Sequence, residues 1–140
     1  MRASVGVDAA RRCAERAGPR TREQIAALAE RTAELVEAAV RTDGTAAAGT
    51  GAADAALELD AAYAQLWGCI VLGAENIAYR LALTSLVQAL DAHREVAELT
   101  RARDADGVRE LGAAVLAGEA EAAGAVARRL LEPDARAFAG

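Results

Sequence analysis

The chain reads as all-α, an antiparallel bundle of about six helices, and three features of its sequence say so. Hydrophobic residues make up 54% of the 140 but aromatics only 3%, so the apolar content is mainly Ala, Leu and Val, and Ala and Leu are strong helix formers. Only two prolines, Pro19 and Pro133, interrupt it, leaving long stretches in which helices can run. Apolar residues recur at three and four, and the clean alternation bounded by turn residues that marks a half-buried strand is not found.

The first helix is expected over about Val5 to Ala17, stopped by Gly18-Pro19. Thr21 then opens the second, with Gln24 three residues on completing a capping-box pattern. Its apolar face is read as Ile25, Leu28, Leu35, Val36, Ala39 and Val40, and Asp43-Gly44 ends it. Thr42 to Gly51 is rich in Gly, Thr and Ala without periodicity and is expected to be a flexible connection. The third helix runs from about Ala53 to Leu72 and breaks at Gly73. The fourth starts at Asn76, and Ile77, Leu81, Leu83, Leu86, Val87 and Leu90 cover more than one of its faces. A bundle of this size buries only one side of such a helix, so a homodimer is expected. The fifth carries Val108, Leu111 and Val115 and stops at Gly118; the sixth carries Ala123, Val126, Leu130 and Leu131 and ends before Pro133. A single domain over residues 1–133 with a tail at 134–140 follows, since 140 residues hold one core and not two.

The formal net charge is -5, with Arg scattered among Asp and Glu. A duplex-binding surface needs concentrated positive charge, so the chain by itself is not expected to bind DNA. No run approaches the roughly 18 apolar residues of a membrane span, and no signal-peptide pattern opens the chain, which places it in the cytoplasm and off the membrane. Cys13 and Cys69 have no metal-ligand spacing and are read as two small buried hydrophobes. His93, the single histidine, has no ligand partners around it. Ser85 and Thr84 have no partner base, Gly49 to Gly51 do not follow a strand, and the mixed-sign run Arg101 to Asp106 reads as a solvated turn. The chain is therefore expected not to be an enzyme and to carry no cofactor.

One constellation stands out. Asp60, Tyr63, Ala64 and Trp67 fall at i, i+3, i+4 and i+7 and so share a face of the third helix. A carboxylate with two amphipathic aromatics can line a ligand pocket; the same spacing also describes ordinary core aromatics with Asp60 at a wet edge.

The run ELDAAYAQLWGCIVLGAENIAYRLALTSLVQAL, Glu58 to Leu90, resembles the centre of the effector-binding, dimerising domain of FadR-type regulators of the GntR transcription-factor family. There an Asp is followed three and four residues on by an aromatic-His pair, then by a Gly-Asn turn opening a helix. VRELGAAVLAGEAEAAGAVARRLL, Val108 to Leu131, is similar to that family's closing helix pair, and AARRCAERAGPRTREQIAALAERTAEL, Ala9 to Leu35, to its first two helices. Many members hold a metal through an Asp and three His; the matching positions here are Asp60, Ala64, Val108 and Leu130, and one carboxylate cannot hold zinc. The Gly-Asn turn appears as Glu75-Asn76, and Thr84 stands where an Asn is common.

NIAYRLALTSL is most similar to the branch that senses fatty acyl-coenzyme A without a metal. The resemblance implies a homodimeric effector-binding domain taking a fatty acyl or other apolar carboxylate. Its ligand would meet the third-helix face together with Thr84, Val108, Leu111 and Leu130, and Arg2 is a candidate partner for Asp60. The family's winged helix-turn-helix is expected to be absent from this chain, so that DNA is reached only through a domain elsewhere. A ligand-free helical dimerisation or scaffold domain stands as the alternative.

Overall fold

The computed structural model describes residues 3–43, 50–75, 81, 84, 85, 88 and 104–139. Among these the chain is all-α, with no strand and five helices: α1 (Ala3–Arg16), α2 (Pro19–Asp43), α3 (Thr50–Gly73), α4 (Ala105–Ala117) and α5 (Ala120–Ala139). The backbone is also helical at Leu81, Thr84, Ser85 and Gln88, within the fourth predicted helix; the rest of that helix, Asn76 and His93 included, lies outside the described residues, as does most of the Thr42 to Gly51 connection.

α2 packs on α4 and α1 on α5, with α3 laid against α2 and α1. One continuous core joins them. It takes Ala10 and Cys13 from α1, Ile25 and Ala29 from α2, Leu66, Trp67 and Ile70 from α3, Val108, Leu111 and Val115 from α4, and Ala123, Ala127 and Leu131 from α5. A smaller cluster of Val36 and Leu59 closes the far end of α2 and α3.

Several boundaries differ from the sequence reading, each for a local reason. Gly18-Pro19 stops α1 and also starts α2, because a proline in the first helical turn lacks only an N–H that has no intrahelical partner there. The Arg22 amide accordingly bonds the Gly18 carbonyl at 3.0 Å, and the Thr21 to Gln24 pattern lies inside the helix instead of capping it. At the other end of the chain α5 runs through Pro133 to Ala139 where a stop and a tail were expected. The proline costs the helix one backbone bond, and the Ala-rich residues after it sustain the helix.

Gly73 does not break α3. It is the last helical residue, and a Cβ there would stand 2.6 Å from Cys13 Sγ and 3.4 Å from Ala17 Cβ, so its bareness lets α1 approach. The break falls at Ala74 and Glu75, where Glu75 takes φ 57. The buried stripe of α2 also differs from the expected one: Ile25, Ala29, Thr32, Ala33 and Val36 are fully buried, Leu28, Leu35 and Ala39 half-buried, and Val40 exposed. Small residues won the inside because α4 comes close, with Gly112 placed so that a Cβ would stand 2.5 Å from Ala29 Cβ. Thr32 is accommodated by donating its hydroxyl to the Leu28 carbonyl at 2.7 Å.

Both ends of α4 are capped. The Asp104 side chain accepts from the Gly107 amide at 2.9 Å, and Gly118 closes the helix at φ 72 with its amide on the Val115 carbonyl. The stop at Gly118 agrees with the sequence. Asp104 corrects it: within the run read as a solvated turn, this residue nucleates the helix that carries Val108 and Leu111.

Candidate functional site

α3 is apolar on more than one side. Asp54–Gly73 is long and apolar enough by length and composition to cross a membrane, although it is not an unbroken apolar run. Leu59, Leu66, Trp67, Ile70 and Val71 are buried against the other helices, and Asp54, Glu58 and Asp60 interrupt the apolar surface. Leu57 and Leu72 on the same helix are exposed, so its apolar surface is only partly covered.

On this helix the face singled out from spacing is assembled as follows. Trp67 is 3% exposed and belongs to the main core. Tyr63, one turn earlier, is half-buried and packs against both clusters. The two rings meet edge to face, centroids 6.3 Å apart at 86°, the arrangement in which a positive ring edge meets a negative face. Asp60 and Ala64 are half-buried on the same side. The indole N–H of Trp67 is buried and has no hydrogen-bond partner among the described residues. An indole nitrogen can only donate, and a buried donor left unpaired costs about 1–3 kcal/mol. That unmet donor is the one chemical anomaly of the face.

The remaining candidates separate into two groups. Val108 and Leu111 are fully buried on α4, and Leu130 of α5 packs on the same core as Tyr63 and Trp67. Leu130 Cδ2 lies 2.9 Å from where a Cβ on Gly107 would be, which places it over the first turn of α4 beside Val108. The fold therefore gathers Tyr63, Trp67, Val108, Leu111 and Leu130 around one core. Thr84 is exposed, and Arg2 lies outside the described residues. Among the described residues no group of three His, Cys, Asp or Glu side chains converges as metal ligands.

Sequence reading missed the polar frame that holds α4 in place. Arg109 donates Nε to Glu30 at 3.0 Å and Nη2 to Glu37 at 2.6 Å, a clamp between α4 and two successive positions on one side of α2. The hydrogen bond from Arg109 holds the Glu37 carboxyl below its usual range, and the same bonds raise the Arg109 guanidinium. Arg129 of α5 reaches Glu110 at 3.0 Å and Asp104 at 3.6 Å. Arg22 donates Nη2 to the Ala14 carbonyl at 2.8 Å and lies against Gly118, joining the ends of α1 and α4. The seven-residue spacing of Glu30 and Glu37 was the available signal, since it puts two acids on one helix face.

Compared with family models, curated proteins and solved structures, the chain matches none.

Proposed function

We propose that this chain is a homodimerising helical domain that binds an apolar acyl-type effector without a metal, built on the plan of the FadR-type domains it resembles. The observation that carries the ligand is the buried, unpaired indole N–H of Trp67 on the aromatic-acid face. Native cores satisfy nearly all their buried donors, and an exception calls for a specific cause, of which a bound group is one. The resemblance gains support from Glu75, which stands where the family has the Gly of a Gly-Asn turn and adopts φ 57, a conformation suited to glycine. In this reading the fourth predicted helix completes a six-helix antiparallel bundle, and effector binding shifts the equilibrium between two arrangements of the dimer.

Dimerisation is supported by Leu81, an apolar side chain of that fourth helix left 64% exposed. The scaffold alternative draws on a specific observation as well: Val108 and Leu111 are wholly buried in a continuous core. Native mass spectrometry of protein purified from cells tests the proposal. A dimer retaining an acyl-bearing molecule is the expected result. A monomer that remains bare after incubation with excess acyl-coenzyme A would sink it.

A further inference from the structure

We infer that Cys13 and Cys69 form a reactive thiol pair, which a hydroperoxide converts to a disulfide joining α1 to α3. Both are free thiols. Cys13 Sγ lies 2.6 Å from where Gly73 would carry a Cβ, so this thiol rests on the bare end of α3. Cys69 stands one turn before Gly73 on the same face of that helix. Positions so spaced are about 5–6 Å apart, which brings Cys13 within a helical turn of Cys69. The charge of Cys69 is accordingly felt at the Cys13 thiol. A disulfide needs Cα atoms about 4.4–6.8 Å apart, and Gly73 supplies the close approach of α1 to α3 that this requires.

Burial divides the roles between the two. Cys69 is half-buried, whereas Cys13 is fully enclosed, so a peroxide reaches Cys69 first. One peroxide oxygen passes to the Cys69 sulfur, giving a sulfenic acid, and the other leaves as water. The Cys13 thiolate then attacks the Cys69 sulfur and displaces hydroxide, which takes up the Cys13 proton as a second water. The two sulfurs have together lost two electrons to the peroxide. Arg22 assists this second step. It donates Nη2 to the carbonyl of Ala14, the residue after Cys13, and its positive charge favours the Cys13 thiolate against the cost of burial. Its Nε–H is buried with no partner among the described residues. A thiol reductant reverses the bond by attacking at the more accessible Cys69. While it lasts, the disulfide ties to α1 the turn of α3 that carries Trp67.

The test is mass spectrometry of the reduced full chain after treatment with hydrogen peroxide, folded and in urea. The folded chain should lose the mass of two hydrogen atoms, yield a digest in which the Cys13 and Cys69 peptides are joined, and regain the lost mass with glutathione. In the Cys13→Ala variant the sulfenic acid has no partner, so dimedone should trap it at Cys69; in Cys69→Ala the buried thiol should stay reduced. Three results overturn the pairing. They are a folded chain in which Cys69 proceeds to the sulfinic acid while Cys13 stays a free thiol, chains cross-linked to one another through Cys69, and two intact thiols at a peroxide concentration that oxidises the urea-unfolded chain. The mass of the unmodified sequence decides the matter, so the outcome does not depend on either variant folding. The ligand reading stands or falls separately, since no effector enters the experiment.

Discussion

Cys13 Sγ lies 2.6 Å from the point at which Gly73 would carry a Cβ, so α1 and α3 meet where one residue has no side chain and the other a short one. Both residues are buried. Gly73→Ala would ordinarily favour a helix by up to about 1 kcal/mol. Here the added methyl enters occupied space, and overpacking of this kind costs about 1–3 kcal/mol. The variant should therefore be less stable in urea titrations than the parent. Adding Cys13→Ala should recover part of the loss, a coupling that a double-mutant cycle reads directly; additive losses would show that the two side-chain positions do not meet.

Burial also sets the chemistry of that thiol. Cys13 is pushed up from 9.0 to about 12, chiefly by desolvation, with the Arg22 guanidinium acting in the opposite direction. Because the folded value is raised, the stabilisation it brings is complete below 9.0 and is lost as pH rises from 9.0 toward about 12. Stability should fall across this alkaline window, and the fall should be shallower in Cys13→Ala. Alkylation at neutral pH should spare Cys13 until denaturant is added.

Glu75 occupies the left-handed region at φ 57, where a side chain other than glycine's costs about 1–2 kcal/mol. Glycine loses more chain entropy on folding, which offsets part of that gain. Glu75→Gly should raise stability by about 0.5–1 kcal/mol, seen as a higher denaturation midpoint. A lower midpoint would mean that the Glu75 side chain contributes more than its backbone costs.

The Arg109 clamp makes an acid-side prediction of opposite sign. Glu37 is held below its ordinary 4.5 by its hydrogen bond to Arg109. A depressed carboxyl stabilises the fold above the unfolded value, and that contribution disappears as pH falls from 4.5 through the lower folded value. Glu37→Gln should flatten the acid limb of the stability profile below pH 4.5. Salt should weaken the parent's advantage, because the pair is partly exposed. Equal acid limbs in parent and variant would remove the clamp from the account.

Periodicity made the helices of this fold legible, and it located α4 well, since Val108, Leu111 and Val115 sit at helical spacing before Gly118 and all three are buried. Where it failed, small residues were responsible. On α2 the branched Leu28 and Leu35 looked like the inner face, yet Ala29 and Ala33 lie deeper, because closeness to Gly112 selects for absent side chains and hydropathy does not register that. Pro19 and Pro133 were both read as breaks, although proline is tolerated in a first turn and can persist within a helix at the loss of one bond. At the candidate site, the shared face of Tyr63 and Trp67 followed from their spacing alone. The unpaired indole N–H did not, because satisfaction of a donor depends on what other helices bring to it.

The effector proposed for the core around Trp67 is an apolar acyl-type molecule in place of a metal-held acid. The most direct test is thermal stabilisation of the full chain by long-chain acyl-coenzyme A, small dicarboxylates and zinc at matched concentration. Ligand linkage predicts a shift that grows with concentration, about 2.7 kcal/mol at a hundredfold excess over Kd. The acyl thioester should produce that shift, and the small acids and zinc should not. Stabilisation by zinc at one equivalent per chain, or by the small acids alone, would contradict the account.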